Sequence, residues 1–297
     1  GLINEDGQPD ALLTTMFEAL HREAGAWRFK PAPQAKKAAG PAPDAAAVAK
    51  RGAAGGAAAT FACEGDAFRL GNGRLALEGR LGDGNFVRRV TLDGGPGSLG
   101  EYNAMVQVAD GAAQNRWIDA RTVKAVEGRV ADGVAVAEIT GAGAQGAAAF
   151  EITHRLLLPL GAPWFVAEFV SVKNTGSQPL RLKGLFFRVY GAFKDVPKAM
   201  PPNLWGMPTC GCWLDAEGGR FFGAVAAKGS GFRIDFWLDG DGGGAHPDAR
   251  YEMEETAVAP GDTFKPAEPV YLLCVAGTGG TDGWMNAAQS LAKTTGP

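Results

Sequence analysis

The sequence predicts an all-β fold, a large antiparallel β-sandwich of two curved sheets, preceded by one amphipathic helix and a Pro/Ala-rich linker. From Thr60 onward, short apolar segments are separated by Gly, Asn and Asp, which favour turns. Helical periodicity is missing from this region, and parallel strands would need crossover helices between them. Long strands, such as those within residues 164–190, favour a large sandwich over a small immunoglobulin-like domain.

The amino-terminal part of the chain is expected to be organised differently. Residues 10–24 carry apolar side chains at helical spacing, with Asp10 as the expected N-cap. These apolar residues are Leu12, Leu13, Met16, Phe17 and Leu20. Residues 31–58 are mainly Ala, Pro, Gly and Lys and bury too little to offset their ordering entropy, although their middle could form a short helix. We therefore expect a helical segment over 1–30, a linker over 31–58 and the sandwich over 59–297.

The strands of the sandwich are recognised by alternation and by turn residues. The sequence "AFRLGNGRLALEG" indicates a hairpin, because apolar residues lie on both sides of Asn72 and Gly73, a pair that supplies positive φ in tight turns. Further strands are expected at residues 86–92, 104–108, 122–126, 134–139, 150–158 and 271–277.

A long hairpin is predicted between Trp164 and Tyr190. In its first strand both faces are apolar, which predicts a strand buried on two sides. One face carries Trp164, Val166, Val170 and Val172, and the other carries Phe165, Ala167 and Phe169. In its second strand the apolar positions change parity at Gly184, from Leu180 and Leu182 to Leu185 and Phe187. A one-residue bulge at Gly184 explains this change.

Composition excludes several classes of function. The 29 basic and 32 acidic residues leave a net charge of −3, and the basic residues are scattered singly, so a nucleic-acid partner is not expected. No apolar run approaches the roughly 20 residues that span a bilayer, so a membrane partner is not expected. The four cysteines are too few for a disulfide framework, and Cys210 and Cys212 lack a second ligand pair for zinc. We therefore expect neither a metal nor a cofactor.

Three segments resemble a known family of sandwiches. They are "LGNGRLALEGRLGDGNFVRRV", "FEITHRLLLPLGAPWFVAEFVSVKNTGSQPLRLKGLFFRVYG" and "VAPGDTFKPAEPVYLLCVAG". They resemble strands of the galactose-mutarotase-like sandwich, the supersandwich of many glycoside hydrolases and polysaccharide lyases. The resemblance covers roughly residues 60–280 and implies this fold and a link to carbohydrates. In mutarotases of the family two His residues and a Glu transfer protons, and no motif around His154 or His246 carries that assignment to this chain.

The densest polar region runs from Trp205 to Tyr251 and contains the candidate site residues. Indole rings stack on sugar faces, and flanking charged groups can bind hydroxyls, so the predicted carbohydrate-binding residues are Trp205, Trp213, Trp237 and Arg250. Trp213 and Trp237 could instead be core side chains, since both fall within strand-like runs. The candidate catalytic residues of this region are His246, Asp248 and Glu252.

Three further features have an ordinary structural alternative. Glu168 interrupts an apolar face, so it could be an acid with a raised pKa or simply the partner of an Arg. His154 could be a base or a hydrogen-bonded strand residue. Residues 239–250 begin like a calcium loop, but the twelfth position is Arg250 where a Glu belongs, which favours a hairpin tip.

The sequence leaves three functions open. The first is a carbohydrate-associated sandwich that positions a polysaccharide or oligosaccharide substrate, as an accessory part of a glycan-degrading protein with an upstream catalytic module. The second is a glycoside hydrolase or polysaccharide lyase with its own site in residues 205–252. The third is a structural sandwich that binds another subunit. A glycan-processing role would favour a secreted or periplasmic location.

Overall fold

The computed structural model describes residues 44–52, 58–95, 97–110, 114–191, 210–214, 219–226, 232–238 and 245–294. Within them are two helices, α1 (Ala45–Arg51) and α2 (Gly280–Thr294), and seventeen strands. The strands are β1 (Thr60–Glu64), β2 (Ala67–Gly71), β3 (Leu75–Arg80), β4 (Val87–Leu92), β5 (Gly100–Asp110), β6 (Gln114–Asp119), β7 (Thr122–Ala131), β8 (Val134–Gln145), β9 (Ala148–Pro159), β10 (Trp164–Asn174), β11 (Leu180–Gly191), β12 (Cys210–Leu214), β13 (Phe221–Ala226), β14 (Phe232–Leu238), β15 (Ala245–Val258), β16 (Thr263–Phe264) and β17 (Val270–Gly277).

The strands form two sheets, and each pairing within them is antiparallel. The first sheet has nine strands in the order β1-β2-β3-β4-β5-β11-β15-β14, with β6 also paired to β5. The second has eight strands in the order β12-β13-β17-β10-β9-β8-β7, with β16 also paired to β10. The predicted all-β sandwich is confirmed.

The core lies between the inner faces of the two sheets. Because side chains alternate along a strand, each inner strand contributes every second residue to this layer. On β5 these are Tyr102, Ala104, Val106 and Val108, and on β17 they include Leu272 and Cys274. The core is one continuous cluster of apolar side chains contributed by both sheets.

The two described helices cover the outer face of the second sheet. Helix α1 starts at Asp44, whose carboxylate accepts a hydrogen bond from the Ala46 amide, and Val48 and Ala49 are fully buried. Helix α2 packs Trp284 and Leu291 on the same face. The predicted linker region therefore contains a short packed helix, while α2 was not predicted. Neither helix is long and apolar enough to cross a membrane.

Two bulges decide which side chains face the core. The predicted bulge at Gly184 is confirmed, because the pairing of β11 shifts between Leu182 and Gly184 on both of its neighbours. A second bulge lies between Phe169 and Ser171, where β10 pairs with β9. It reverses the parity of β10, so Val172 packs in the inter-sheet core. The prediction that Val172 shares the face of Trp164 was therefore wrong.

Asn72 joins the β2-β3 hairpin to the turn between β9 and β10. Its side-chain amide donates to the carbonyl oxygens of Pro159 and Ala162, at 2.5 and 2.8 Å. Its Oδ1 accepts from the amides of Arg74 and Leu75, at 2.9 and 2.7 Å. The predicted hairpin is present, but of the expected turn pair only the glycine has a positive φ. Asn72 therefore acts through its buried side chain.

Candidate functional site

The outer face of the first sheet carries polar and aromatic side chains at its centre. There β6, β5, β11 and β15 lie side by side, and their register aligns Asp119, Met105, Phe186 and Arg250 in one row. The residues before and after them along each strand, such as Ile118, fill the core. Because side chains alternate, this row faces away from the core.

Arg250 lies against two aromatic rings of this face. Its guanidinium carbon is 5.0 Å from the centroid of the Trp117 ring and 5.1 Å from that of Phe186. The two rings meet edge to face, with centroids 3.8 Å apart and planes at 72°. The Arg250 side chain is only 13% exposed, so these cation–π contacts act in a partly desolvated environment, which strengthens them.

Arg188 places a second guanidinium on this face, two residues along β11 from Phe186. Its Nη1 donates to the Tyr190 hydroxyl at 2.8 Å and lies 3.5 Å from Oδ1 of Asp119. Its guanidinium carbon is also 5.5 Å from the Tyr190 ring centroid. These contacts fix the guanidinium of Arg188 on the same face as that of Arg250. We refer to Trp117, Phe186, Arg188, Tyr190 and Arg250 as the Trp117 cluster.

Two buried amide side chains on β5 border the Trp117 cluster. Asn103 is paired with Arg188, and Gln107 is paired with Trp117. Both are less than a tenth exposed. The Oδ1 atom of Asn103 accepts a hydrogen bond from the Ala104 amide at 2.8 Å. Because an amide side chain both donates and accepts, this border suits a ligand rich in hydroxyl groups.

Glu101 is a carboxylic acid with altered acidity at the edge of the cluster. It is paired with Tyr190, and Asn85 donates a side-chain hydrogen bond to its Oε2. Burial raises the pKa of Glu101, the charge of Arg88 opposes this shift, and the charge of Asp83 adds to it. A carboxyl group of this kind keeps its proton to a higher pH than an exposed one and can donate it to a ligand.

Arg250 belongs to the Trp117 cluster, and Glu252 lies next to it. The Nη1 atom of Arg250 is 4.0 Å from Oε1 of Glu252, whose side chain is 62% exposed. Solvent screens so exposed a carboxylate, and the contact is too long for a hydrogen bond, so Glu252 only weakly neutralises Arg250.

The other residues predicted for the 205–252 region are distributed between the two sheets. Asp248 and His246 lie earlier on β15, in the first sheet, and His246 is paired with Trp237 on β14. Trp213 lies on β12, in the second sheet. Trp205 lies outside the described residues, as do residues 239–244 of the calcium-like segment. The structure therefore does not bring Trp213 and Trp237 onto one sheet.

Glu168 lies on the outer face of the second sheet, in a row of paired charges. Nη1 of Arg155 donates to its Oε2 at 3.0 Å, and the same guanidinium bonds Oε1 of Glu138 at 2.9 Å. Burial raises the pKa of Glu168, and the positive charge of Arg155 opposes the shift. Glu168 is thus the partner of an Arg and lies in a different sheet from Arg250.

His154 lies in the centre of the inter-sheet core. It is fully buried, and its Nδ1 forms a hydrogen bond of 2.5 Å with the Tyr102 hydroxyl. Its ring contacts those of Phe86, Phe169 and Phe187, with centroids 4.9 to 5.6 Å apart. Burial lowers the pKa of His154 to about 3. A neutral imidazole enclosed in this way is a structural group.

Within the described residues, no cluster of three or more His, Cys, Asp or Glu side chains lies close enough to hold a metal ion. Cys212 and Cys274 are buried, and Cys63 is exposed.

Four members of the Trp117 cluster were not predicted. A signal was present for three, since the bulge at Gly184 puts Phe186, Arg188 and Tyr190 on the face opposite the buried Leu185 and Phe187. Trp117 lies on a strand that was not recognised in the sequence. Its approach to Phe186 depends on pairing between strands about 70 residues apart, as the register of β5 with β6 and β11 shows.

No protein-family model and no curated protein matches the chain. Among solved structures, it is similar to the GH36 alpha-galactosidase AgaB from Geobacillus stearothermophilus, with a TM-score of 0.50 and 12% identity; the match covers 79% of this chain and 43% of that one. It is also similar to a galactose mutarotase related enzyme from Lactobacillus acidophilus, with a TM-score of 0.41, 7% identity, and coverage of 72% and 98%. A third similar structure is the Slr1438 protein from Synechocystis, with a TM-score of 0.44, 12% identity, and coverage of 77% and 98%.

At these identities the similarity concerns the fold. Antiparallel strands in two large stacked sheets are the architecture that the sequence predicted. The predicted hairpin over 164–190 was wrong, because β10 lies in the second sheet and β11 in the first. The chain shares the large antiparallel sandwich fold of the matched part of that alpha-galactosidase.

Proposed function

We propose that this chain is a carbohydrate-binding sandwich that positions a polysaccharide or oligosaccharide, as an accessory part of a glycan-degrading protein. The observation that carries the proposal is the Trp117 cluster on the outer face of the first sheet. It combines an indole and a phenol ring with two guanidinium groups, bordered by the amides of Asn103 and Gln107.

This combination matches the chemistry of a sugar. The C–H face of a pyranose ring is apolar and packs on an aromatic side chain, while its hydroxyl groups need donors and acceptors. Arg188 and Arg250 supply donors, and the carboxylate of Asp119 supplies an acceptor 3.5 Å from Arg188. These groups are held by contacts with one another, so little side-chain entropy is lost when a ligand binds.

The share of the similar alpha-galactosidase that this chain covers supports the accessory role. The chain spans 43% of the alpha-galactosidase to which it is similar, and that protein is named as a glycoside hydrolase. A sandwich of this size could therefore serve as one part of a longer glycan-processing protein, with catalysis supplied by another module.

Trp117→Ala tests the proposal directly. We expect the full chain to bind at least one glycan on an array, and Trp117→Ala to weaken that binding about tenfold, which corresponds to about 1.4 kcal/mol. Trp117→Phe keeps an aromatic face and should retain most of the affinity. Val130→Ala is a surface control, because Val130 is 48% exposed on β7 of the other sheet. If no glycan binds, or if all three variants bind alike, the proposal is wrong.

Glu101 supports a second candidate function, that of a hydrolase or lyase. Its pKa is raised by burial, and it lies beside the cluster that would hold the sugar. An acid that must donate a proton needs such a shift. The test is release of reducing ends or unsaturated products from the glycans that bind. Glu101→Gln should abolish this release while leaving binding intact, and turnover that survives the substitution would exclude Glu101 as the acid.

A further inference from the structure

A groove lined by arginine side chains lies on the same sheet as the Trp117 cluster. It runs over β1, β2, β3 and β4, and we refer to it as the arginine groove. Its charged lining residues are Arg69, Arg80, Arg88, Arg89, Glu64, Asp66 and Glu78. Four guanidinium groups therefore face three carboxylates, whereas the chain as a whole carries a net charge of −3. The lining of the groove thus carries one net positive charge, and Asp83 beside Arg88 adds a fourth carboxylate next to it.

The strand register and one bulge bring these arginines together. Arg69 and Arg89 flank Glu78 in a single row across β2, β3 and β4. Between Val87 and Val90, β4 carries one residue more than its partner β5. Both residues within this irregularity, Arg88 and Arg89, are therefore exposed, with 55% and 45% of their side chains accessible.

Most of these arginines are only weakly neutralised. Arg69 and Arg89 approach opposite oxygens of Glu78 at 3.7 Å, which is too long for a hydrogen bond. Arg88 is 3.4 Å from Asp83. That contact is a long hydrogen bond, and Arg80 has a closer partner, since its Nη2 lies 2.6 Å from Asp66. Exposed ion pairs of this kind contribute little free energy, so Arg69, Arg88 and Arg89 can turn toward an anionic ligand at small cost.

The arginine groove and the Trp117 cluster are parts of one continuous face. Strand β4 is paired with β5, and the charge of Arg88 acts on the pKa of Glu101, which is itself paired with Tyr190 of the cluster. From β2 to β15 the sheet order spans five strand spacings, or about 24 Å at about 4.8 Å each. An extended oligosaccharide of several sugar units could therefore cross the strands and contact both ends.

We propose that the ligand of the Trp117 cluster is an acidic oligosaccharide whose charged units extend into the arginine groove. This inference rests on the proposed carbohydrate-binding function and names the class of sugar. A carboxylate or sulfate group can accept two parallel hydrogen bonds from one guanidinium, a geometry that hydroxyl groups do not offer. The cluster would hold the ring of one unit, and Arg88 and Arg89 would bind the anionic groups of units farther along the chain.

Calorimetric titration with three hexasaccharides tests this inference. They are a uronic acid hexamer, a sulfated hexamer and a neutral hexamer of similar backbone. We expect one of the acidic hexamers to bind at least tenfold more tightly than the neutral one, with an affinity that falls as salt is raised. The two acidic probes distinguish carboxylate from sulfate as the recognised group.

Two double variants then test whether Arg88 and Arg89 bind the anionic groups of the ligand. Arg88→Ala/Arg89→Ala should weaken binding of the acidic hexamer at least tenfold and leave a neutral hexamer unaffected. Lys124→Ala/Arg129→Ala removes two exposed positive charges from β7 of the other sheet and should have no effect. Equal loss in both variants, or no loss in the first, would overturn the inference. If no hexamer binds, or if a neutral hexamer binds as tightly as the acidic ones, this inference fails. The proposed function fails with it only if no glycan on the array binds either.

Discussion

His154 should make the stability of this sandwich depend on pH. The side chain is fully buried, and burial lowers the pKa of His154 to about 3, whereas a histidine in an unfolded chain titrates near 6.5. Between these values the unfolded chain binds a proton at this residue and the folded chain does not. The contribution of the neutral His154 to the free energy of unfolding is therefore complete above about pH 6.5. It is lost progressively as the pH falls below that value.

The size of the effect follows from the same two pKa values. Each pH unit below the unfolded pKa costs about 1.4 kcal/mol, so lowering the pH from 7 to 5 should remove about 2 kcal/mol through this one group. Urea unfolding at pH 7 and pH 5, with unchanged m-values, measures the loss. Other groups also titrate in this range, so the informative quantity is the difference between the native sequence and variants.

The matched variants separate the charge of His154 from its hydrogen bond. In Tyr102→Phe/His154→Phe both partners of the buried bond become apolar, and the acid-dependent loss should shrink by about 2 kcal/mol. Tyr102→Phe alone should lower stability at both pH values but keep the acid dependence, because the imidazole remains. If the native protein and the double variant lose the same free energy between pH 7 and pH 5, His154 is not the group responsible.

Two further substitutions test how the sheets are held. Asn72→Ala removes the two side-chain N–H groups that donate to carbonyl oxygens at the turn between β9 and β10. In urea titrations it should lower the free energy of unfolding by about 3 kcal/mol. A loss below about 0.5 kcal/mol would contradict the role given to this amide. Arg155→Met should cost about 2 kcal/mol at pH 7 and less as the pH falls, because burial raises the pKa of Glu168 and a protonated carboxyl no longer needs a cation beside it. Adding Glu168→Gln should restore part of the loss, and an unchanged deficit in that double variant would show that the loss does not come from a carboxylate left without its partner.

Some features of the fold could be predicted because they depend on local sequence. The parity change around Gly184 shows in the sequence because polar and apolar residues alternate clearly on each side of it. The bulge after Phe169 could not be found in that way, because Val170 and Val172 are both valines and the strand is apolar on both faces. Where both faces are buried, alternation carries no information about parity.

Helix α2 was missed although its sequence contains a helical signal. Trp284, Ala288 and Leu291 recur at helical spacing and are buried against the second sheet. The residues around them include Gly283, which lowers helix propensity. Packing of one large indole and two smaller side chains against the strands stabilises this helix, and tertiary packing of that kind is not visible in a local pattern.

The candidate site was harder to predict than the fold, for a related reason. Arg250 could be named because it lies in a region rich in charged and aromatic residues, but its aromatic partners come from β6 and β11. They meet because β5 pairs with both of those strands, and β11 pairs in turn with β15. Sequence distance gives no indication of such neighbours, so the residues of a binding face emerge only once the strand order is known.

The two outer faces of the sandwich differ in a way that bears on function. Beside its row of paired charges, the second sheet places apolar side chains outward, and α1 and α2 pack against them. On the first sheet, Phe186 is just as buried, but Trp117 and the stem of Arg250 pack against it. An aromatic residue that is shielded by a second ring and a cation is already fixed before any ligand arrives. A sugar that stacks there would meet a rigid surface and lose little affinity to side-chain ordering, which is why the proposed binding site lies on the first sheet.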